Sequence, residues 1–302
     1  MRRSVVFVVA AAVAAAAVAG GLITRSNADE RNVDAFRGLG AWIDVYDYVP
    51  AFQRGTGPPA VTSATVDDLS ALGARTIYLQ AAIDDSRASG LMVDRDRVAS
   101  LLQRAHDDGV NVVAWYYPQL VDPARDRRRL DALLAFRTHG ERFDGIALDI
   151  ESRQVPDVTE RNRRLVNLAR QVRSRAGKRA IGAIVYPAVQ LEVVNPKLWP
   201  EFPYRKLARS IDVWLPEAYW TFRSAPYRDA FTYTDESVRR LRTDLGQPDA
   251  AVHPIGGLGG SSTPSDYQGL VRAARREHAL GWSVYDADTT ATTAWRFLRG
   301  GS

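Results

Sequence analysis

Short apolar runs alternate along this chain with longer stretches in which apolar residues recur at helical spacing. The runs predict eight strands, because residues with period-two or continuous apolar character over four to eight positions favour strands. They lie at 38–46, 75–80, 111–117, 143–151, 180–187, 211–219, 250–256 and 281–286. The longer stretches predict helices at 65–72, 95–108, 126–138, 158–175, 200–209, 235–245, 266–279 and 292–298.

Strand and helix alternate throughout, which predicts an α/β fold with a parallel sheet closed into a (β/α)8 TIM barrel. An open doubly wound sheet is the second interpretation, but the chain has no glycine-rich phosphate loop after its first strand. The joints agree with the helix assignment: Asp108-Gly109 has the form of a helix C-cap, and Thr65 precedes two acids as an N-cap does. No break in composition divides the chain, so we expect one barrel domain over 33–302.

The N-terminus has the pattern of a targeting segment. Arg2 and Arg3 precede an apolar run over 4–23, and Ser26-Asn27-Ala28 places small residues where signal peptidase cleaves. The run is also just long enough to span a membrane. We therefore expect 1–28 to be a signal peptide or an uncleaved N-terminal anchor, and the remainder to be secreted or held outside the cytoplasm.

Composition excludes several classes of function. The leader holds three of the 40 basic residues, which leaves 37 against 35 acidic residues and a net charge of about +2. Nothing in that balance indicates nucleic acid as a partner. Cysteine is absent and no pair among the four histidines has metal-ligand spacing, so we expect neither a metal nor a cofactor. We also expect the protein to be a monomer.

The run Phe143-Asp-Gly-Ile-Ala-Leu-Asp-Ile-Glu151 carries the strongest chemical signal. Asp149 and Glu151 are two residues apart, so on a strand they point to the same face. Two carboxyls at the exit of a buried strand are costly to keep without a function. This pair is the first candidate for a catalytic site.

Active sites of such barrels lie at the carboxyl ends of the strands. Those ends bring aromatic residues and carboxylates together, a combination suited to sugar, whose rings stack on aromatic faces and whose hydroxyls bind carboxylates. Beyond Glu151, Asp149, Tyr219 and Glu217, the candidate substrate-binding residues are Asp44, Tyr46, Tyr78, Trp115, Tyr117, Tyr186, Trp220, His253, Trp282 and Asp286. Glycoside hydrolysis needs two carboxyls, so the sequence indicates a hydrolase acting on a polysaccharide or oligosaccharide.

The segment from Asp144 to Glu151 resembles the strand-four signature D-G-x-D-x-D-x-E of glycoside hydrolase family 18, the chitinases and their relatives. Asp144, Gly145, Asp149 and Glu151 match it, and Ala147 departs from it. The resemblance implies a TIM barrel in which Glu151 is the general acid. It also implies that Asp149 orients an N-acetyl group of the substrate, whose carbonyl oxygen is the nucleophile.

Leu215-Pro-Glu-Ala-Tyr219 is similar to the strand-six segment of the same family. The resemblance implies that Tyr219 hydrogen-bonds the N-acetyl group and that Trp282 forms the tryptophan floor of the site. Glu217 stands where the family has methionine. If it faces the site, a second carboxylate lies across the barrel from Glu151 and suits direct displacement. A separation of about 5 Å would then indicate retention, and about 6.5–9.5 Å inversion.

Two other classes of function stay open at this level. The first is a barrel that binds carbohydrate without cleaving it, although Glu151, which pure binders often lack, is present. The second is a different barrel enzyme, such as a polysaccharide deacetylase or an aldolase-type lyase. A deacetylase normally needs a metal cluster and such a lyase a lysine on a strand. None of the lysines, Lys178, Lys197 and Lys206, lies at the carboxyl end of a predicted strand.

Overall fold

The computed structural model describes residues 31–300 except 54, 56 and 89. The predicted leader at 1–28 lies outside the described residues. Among the described residues, no helix has both the length and the apolar character needed to cross a membrane.

Eight parallel strands form one sheet in the order β6-β5-β4-β3-β2-β1-β8-β7. Two isolated parallel bridges, Trp214 with Val252 and Glu217 with Ile255, join the two end strands and close the barrel. The (β/α)8 TIM-barrel prediction is therefore confirmed over the open sheet. The strands are β1 Gly38–Ile43, β2 Thr76–Gln80, β3 Asn111–Tyr116, β4 Gly145–Ile150, β5 Ala180–Val185, β6 Val213–Pro216, β7 Ile255–Leu258 and β8 Gly281–Tyr285.

Helices follow the strands and cover the outside of the barrel with their apolar faces. The long helices are α2 Ser63–Ala71, α3 Arg95–Asp107, α4 Pro123–Ala135, α5 Val158–Ala176, α7 Ala230–Leu245 and α8 Pro264–Arg276. The short ones are α1 Val45–Tyr48, α6 Tyr204–Leu207 and α9 Trp295–Leu298. A prediction of one helix over 200–209 is wrong, because Pro203 at the N-cap of α6 excludes the preceding residues from it.

Several strands are shorter than predicted, and proline explains two of them. Pro216 ends β6, and tight turns from Pro216 to Ala218 and from Glu217 to Tyr219 follow it. Pro254 has no backbone N–H to donate to a neighbouring strand, so β7 begins at Ile255. Val252, on the other side of Pro254, makes only an isolated bridge to Trp214. The predicted ends at 219 and 250 therefore belong to loops.

Helix caps explain the remaining differences. The side chain of Asp44 accepts a hydrogen bond from the backbone N–H of Tyr46 and caps α1, so β1 ends at Ile43 and not at 46. Helix α2 begins at Ser63, because Thr62 is its N-cap and the hydroxyl of Thr65 accepts from the N–H of Thr62. The assignment of Thr65 as N-cap is therefore wrong.

A separate apolar cluster fills the barrel interior. Its members are Ala35, Phe36, Trp42, Tyr78, Val113, Trp115, Ala147, Ala180, Ile184, Val213, Leu215 and Ile255. Phe36 belongs to a 3-10 turn just before β1 and closes the amino-terminal end of the barrel. It needs the glycine at position 182, where an added Cβ would lie 2.8 Å from both Phe36 and Leu215.

Phe36→Ala is expected to lower the free energy of unfolding by about 3–5 kcal/mol, because it opens a cavity under a closed ring of strands. Phe36 is fully buried, whereas Phe222 is 62% exposed, so Phe222→Ala is the matched control and should change stability little. Urea denaturation followed by tryptophan fluorescence measures both. Equal effects of the two substitutions would contradict the assignment of Phe36 as the barrel plug.

Candidate active site

Three carboxyl groups meet at the carboxyl end of the barrel. Asp149 is the penultimate residue of β4, Glu151 follows that strand, and Glu217 follows β6. One carboxylate oxygen from each lies within 4.8 Å of those of the other two. Asp149 and Glu217 are each 9% exposed, while Glu151 is half-buried. The structure thus brings Glu217 to the carboxyl pair that the sequence singles out.

Glu217 is held in place by its neighbours. The hydroxyl of Tyr219 donates a hydrogen bond to its Oε1 at 3.0 Å. Burial raises the pKa of Glu217 well above its ordinary value, and the charge of Glu151 and a hydrogen bond with it raise this pKa further. Since two adjacent carboxylates in a dry site resist double ionisation, the proximity of Glu151 and Glu217 favours retention of one proton by the pair.

One oxygen of the Asp149 carboxyl group lacks a hydrogen-bond partner. Its Oδ1 is buried and has no hydrogen-bond partner. Two residues earlier on the same face, Ala147 contributes only a methyl group to the interior cluster. Burial raises the pKa of Asp149 well above its ordinary value, and the charge of Glu151 adds to this. The position that departs from the family-18 signature therefore coincides with an unsatisfied carboxylate oxygen.

Asp149→Asn is expected to raise the free energy of unfolding at about pH 8 and to raise it less at about pH 5. The reason is that a carboxyl whose pKa is raised in the folded state favours folding when protonated and opposes it when ionised. The cost of Asp149 therefore grows as pH rises above its unfolded pKa, and asparagine carries no such cost. Urea unfolding at both pH values measures the difference. A gain that is larger at the lower pH would contradict this sign.

Two tyrosines line the β3–β5 side of the carboxyls, Tyr117 and Tyr186, and their role in binding substrate stays a prediction. The hydroxyl of Tyr186 donates to the backbone carbonyl of Glu151 at 3.3 Å. Tyr117 is half-buried, and burial raises its pKa, with added effect from the charges of Asp149 and Glu151. Trp115 lies deeper, 5% exposed, and its Nε1 donates to a backbone carbonyl, so it forms part of the floor.

Tyr285, which the sequence analysis does not single out for substrate binding, lies on the opposite side of the mouth. Its ring centroid is 6.4 Å from that of Tyr219 and 6.4 Å from that of Trp42. Its hydroxyl donates to Asp44 Oδ2 at 2.6 Å. The two tyrosine rings thus connect Glu217 on one side with Asp44 on the other.

The prediction that Trp282 and Trp220 bind substrate is wrong. Trp282 faces outward, where its Nε1 donates to the carbonyl of Leu298 at 2.8 Å and Arg275 lies over its ring. Trp220 is fully buried in the outer cluster against the backbone of Gly256 and 257. Trp282 and Tyr285 are three residues apart, so they point to opposite faces of β8, and only Tyr285 faces the barrel.

The predicted substrate contacts of Tyr78 and His253 are also wrong, because both side chains are fully buried. Tyr78 stacks on Trp42 at 4.3 Å, below the mouth. Nδ1 of His253 donates to the carbonyl of Phe36 at 2.9 Å, and its Nε2 accepts from the Ser283 hydroxyl at 3.1 Å. Burial lowers the pKa of His253 to about 4, so it is a neutral structural residue.

Two further candidates lie on the rim of the mouth. Asp286 follows β8 and accepts a hydrogen bond from the N–H of Thr289 at 2.8 Å, next to Asp44. Tyr46 on α1 is 50% exposed and packs edge-on against Phe52. Their roles in binding a substrate stay predictions, as do the catalytic roles of the three carboxyls and Tyr219.

No protein-family model and no curated protein matches this sequence. Solved structures match its fold. A chitinase of glycoside hydrolase family 18 from Cycas revoluta, in complex with allosamidin, is 11% identical with a TM-score of 0.60, over 87% of this chain and 97% of that one. The spore cortex-lytic enzyme SleL of Bacillus cereus is 9% identical with a TM-score of 0.65, over 88% and 74%.

An endo-1,4-beta-D-mannanase from Thermotoga petrophila RKU-1 is 10% identical with a TM-score of 0.63, over 83% of this chain and 88% of that one. The fold that the sequence resemblance implies, that of family 18 and related glycoside hydrolases, is thus confirmed. At this level of identity the likeness extends to the barrel, and the chemistry has to be argued from the residues in its mouth.

Proposed function

We propose that this protein is a glycoside hydrolase that cleaves a polysaccharide or oligosaccharide, with Glu151 as general acid and base and Glu217 as nucleophile. The observation that carries the proposal is the meeting of carboxyl groups from β4 and β6 within 4.8 Å, in a mouth flanked by tyrosines. The similar structures support it, since their names describe a chitinase, a mannanase and a cortex-lytic enzyme.

The separation of the carboxyls favours retention of anomeric configuration. Inverting enzymes hold their two carboxyls about 6.5–9.5 Å apart to admit a water, whereas retaining enzymes hold them about 5–5.5 Å apart. The nearest oxygens of Glu151 and Glu217 lie within 4.8 Å, which is shorter than the separation in inverting enzymes. This supports a direct attack by a protein carboxylate on the sugar.

The hydrogen bond of Tyr219 supports the same choice. In the substrate-assisted mechanism of family 18, this tyrosine would bind the N-acetyl group of the sugar. Here its hydroxyl already donates to Glu217 at 3.0 Å, which fixes the position of that carboxyl group. Direct displacement by Glu217 requires no N-acetyl group on the substrate.

The proposed reaction then has two steps. In the first, Glu151 gives its proton to the glycosidic oxygen as that C–O bond breaks, and Glu217 forms an ester with the anomeric carbon. In the second, Glu151 takes a proton from water, whose oxygen displaces Glu217 and regenerates both carboxyls. Half-buried Glu151 is the carboxyl with access to a leaving group, and buried Glu217 is the one fixed beneath the ring.

The sequence pattern at 1–28 supports export, which we propose as part of the same function. A polymer outside the cytoplasm is then the substrate. Whether 1–28 is a cleaved signal or an anchor is decided by N-terminal sequencing of the exported protein.

Release of reducing ends from a panel of glucans, mannans, chitin, chitosan and peptidoglycan tests the hydrolase proposal. We expect at least one polymer to be cleaved, and the double variant Glu151→Gln/Glu217→Gln to be inactive on it. Tight binding of a glycan with no product after long incubation would overturn the proposal and favour a carbohydrate-binding barrel.

A further inference from the structure

The mouth contains one carboxyl more than the proposed reaction uses. Glu151 and Glu217 supply the acid and the nucleophile of a double displacement, and no step requires Asp149. Yet Asp149 is 9% exposed and one of its oxygens lies within 4.8 Å of oxygens of the other two. Burying a carboxyl beside two others is costly, so its presence calls for a partner.

Asp149 lacks such a partner within the protein. Its Oδ1 is buried without a hydrogen bond, and the methyl group of Ala147 offers none. Among the ion pairs of the described residues, none includes Asp149, Glu151 or Glu217. A bound molecule that supplies a donor with positive charge would complete the group.

The rim of the mouth also contains acidic side chains without basic partners among the described residues. Asp44, Asp47, Asp286 and Asp288 surround the end of β8, and the charges of the other three act on Asp47. Burial, with these charges in addition, raises the pKa of Asp47 to about 8. None of the four is ion-paired within the part of the chain that the structure describes.

Basic groups near the mouth are few. The charge of Arg153, which is exposed and follows Glu151, acts on Tyr117 and Tyr186 on the β3–β5 side. Arg87 pairs with Asp85 and lies over Phe52. Neither pairs with Asp149 or with the carboxylates around β8, whereas many other carboxylates of the described residues pair with arginine or cap helices.

We infer that the sugar bound at the cleavage point carries a free amino group, and that the carboxylate of Asp149 accepts a hydrogen bond from its ammonium. This rests on the proposed function, because it places the amino group on C2, the carbon next to the anomeric carbon that Glu217 attacks. An ammonium has three hydrogen-bond donors and a positive charge, and Asp149 has no positively charged partner in the part of the protein that the structure describes. An N-acetyl group has neither the charge nor a free Tyr219 hydroxyl to bind it. The substrate class is therefore a polymer of 2-amino-2-deoxy sugars that is not fully acetylated.

Matched pairs of oligosaccharides test this inference. Glucosamine oligomers and galactosamine oligomers are each compared with the same sample after complete N-acetylation, so that only the acetyl group differs. Binding to Glu151→Gln, which should cleave natural glycans about 10²- to 10⁴-fold more slowly than the wild-type protein, is measured by titration calorimetry. We expect one free-amine series to bind roughly 10- to 100-fold more tightly than its acetylated form, the range for a hydrogen bond to a charged group.

Asp149→Asn, added to Glu151→Gln, should remove most of that preference, because asparagine keeps the shape and loses the charge. Asp249→Asn in the same background is the control, since Asp249 is exposed in the loop before β7, at the other end of the barrel. Urea unfolding confirms that all variants are folded. The ratio between the two forms of one sugar is the readout, and a purely structural role of Asp149 would leave that ratio unchanged.

Several results would overturn the inference: equal or tighter binding of the acetylated forms, no binding of any amino sugar, a preference that survives Asp149→Asn, or binding that requires an added divalent cation. The proposed function fails separately. Amine-selective binding without cleavage by the wild-type protein would refute the hydrolase and leave the amino-sugar site. Cleavage of neutral or acetylated glycans without preference would refute only the amino-sugar site.

Discussion

Glu217→Ala is expected to lower the rate of glycan cleavage by roughly 10⁴- to 10⁶-fold, the range seen when a nucleophile is deleted. The substitution removes the proposed nucleophile, whose carboxyl group the Tyr219 hydroxyl holds in place. Initial rates of reducing-end release on the best polymer of the panel measure the loss. Glu236→Ala on the outer helix α7 is the matched control and should retain the rate.

Added azide distinguishes a missing nucleophile from a damaged site. The alanine side chain leaves space next to the anomeric carbon, so azide should attack there and restore turnover, giving a glycosyl azide of inverted configuration. Rate loss without rescue, in a variant that unfolds at the wild-type urea concentration, would contradict the assignment of Glu217. Full activity of Glu217→Ala would exclude it from the reaction altogether.

Glu151→Gln is expected to lower the rate by about 10²- to 10⁴-fold on natural glycans, because the leaving oxygen is no longer protonated. The loss should be much smaller for the first step on an aryl glycoside, whose phenolate leaves without a proton. Burst kinetics on such a substrate separate formation of the glycosyl-enzyme from its hydrolysis. A uniform loss on both substrate types would show that Glu151 acts by position and not as an acid.

The pH profile gives a second readout for the same residue. Activity of the wild-type protein should fall as pH rises and the shared proton of Glu151 and Glu217 is lost, since burial and mutual repulsion raise the pKa of Glu217. Glu151→Gln removes the acid, so its residual activity should no longer fall at high pH. Retention of the wild-type basic limb in that variant would contradict the role of Glu151.

The fold was accessible from the sequence because its signals are local and repeated. Buried parallel strands appear as apolar runs, and helices appear as periodic stretches between them. The exact ends of the strands were harder to predict from the sequence. They depend on single residues such as Pro216, Pro254 and the helix cap Asp44, whose effects outweigh the apolar pattern. Barrel closure depends on two bridges between β6 and β7, which no local pattern indicates.

In the site, the structure brings together the residues that are two apart in the sequence, Asp149 with Glu151 and Glu217 with Tyr219. Glu151, Glu217 and Tyr219 lie just after their strands and not within them. Depth along the barrel axis was not accessible, and so Tyr78 and His253 were assigned to the mouth although both lie below it. To know which face of β8 points inward, one also needs the register between the strands, which a single sequence does not give. For this reason the sequence predicts Trp282 and not Tyr285 as a substrate-binding residue.

Ala147, which departs from the family-18 signature, bears on the chemistry of the site. A residue that weakens the match to family 18 leaves Asp149 without a protein partner. The second departure, Glu217, is the nucleophile of the proposed reaction, whereas family 18 takes its nucleophile from the substrate. Together the two differences favour a barrel glycosidase that works without an N-acetyl group and has an anionic group free for the substrate.

The configuration of the first product tests the central claim most directly, that Glu151 and Glu217 act as a pair across one glycosidic bond. Proton NMR during cleavage of the best substrate reports the anomer released before mutarotation. The geometry predicts the anomer of the cleaved bond, because two displacements at one carbon restore its configuration. Release of the opposite anomer would contradict the assignment of Glu217 as nucleophile.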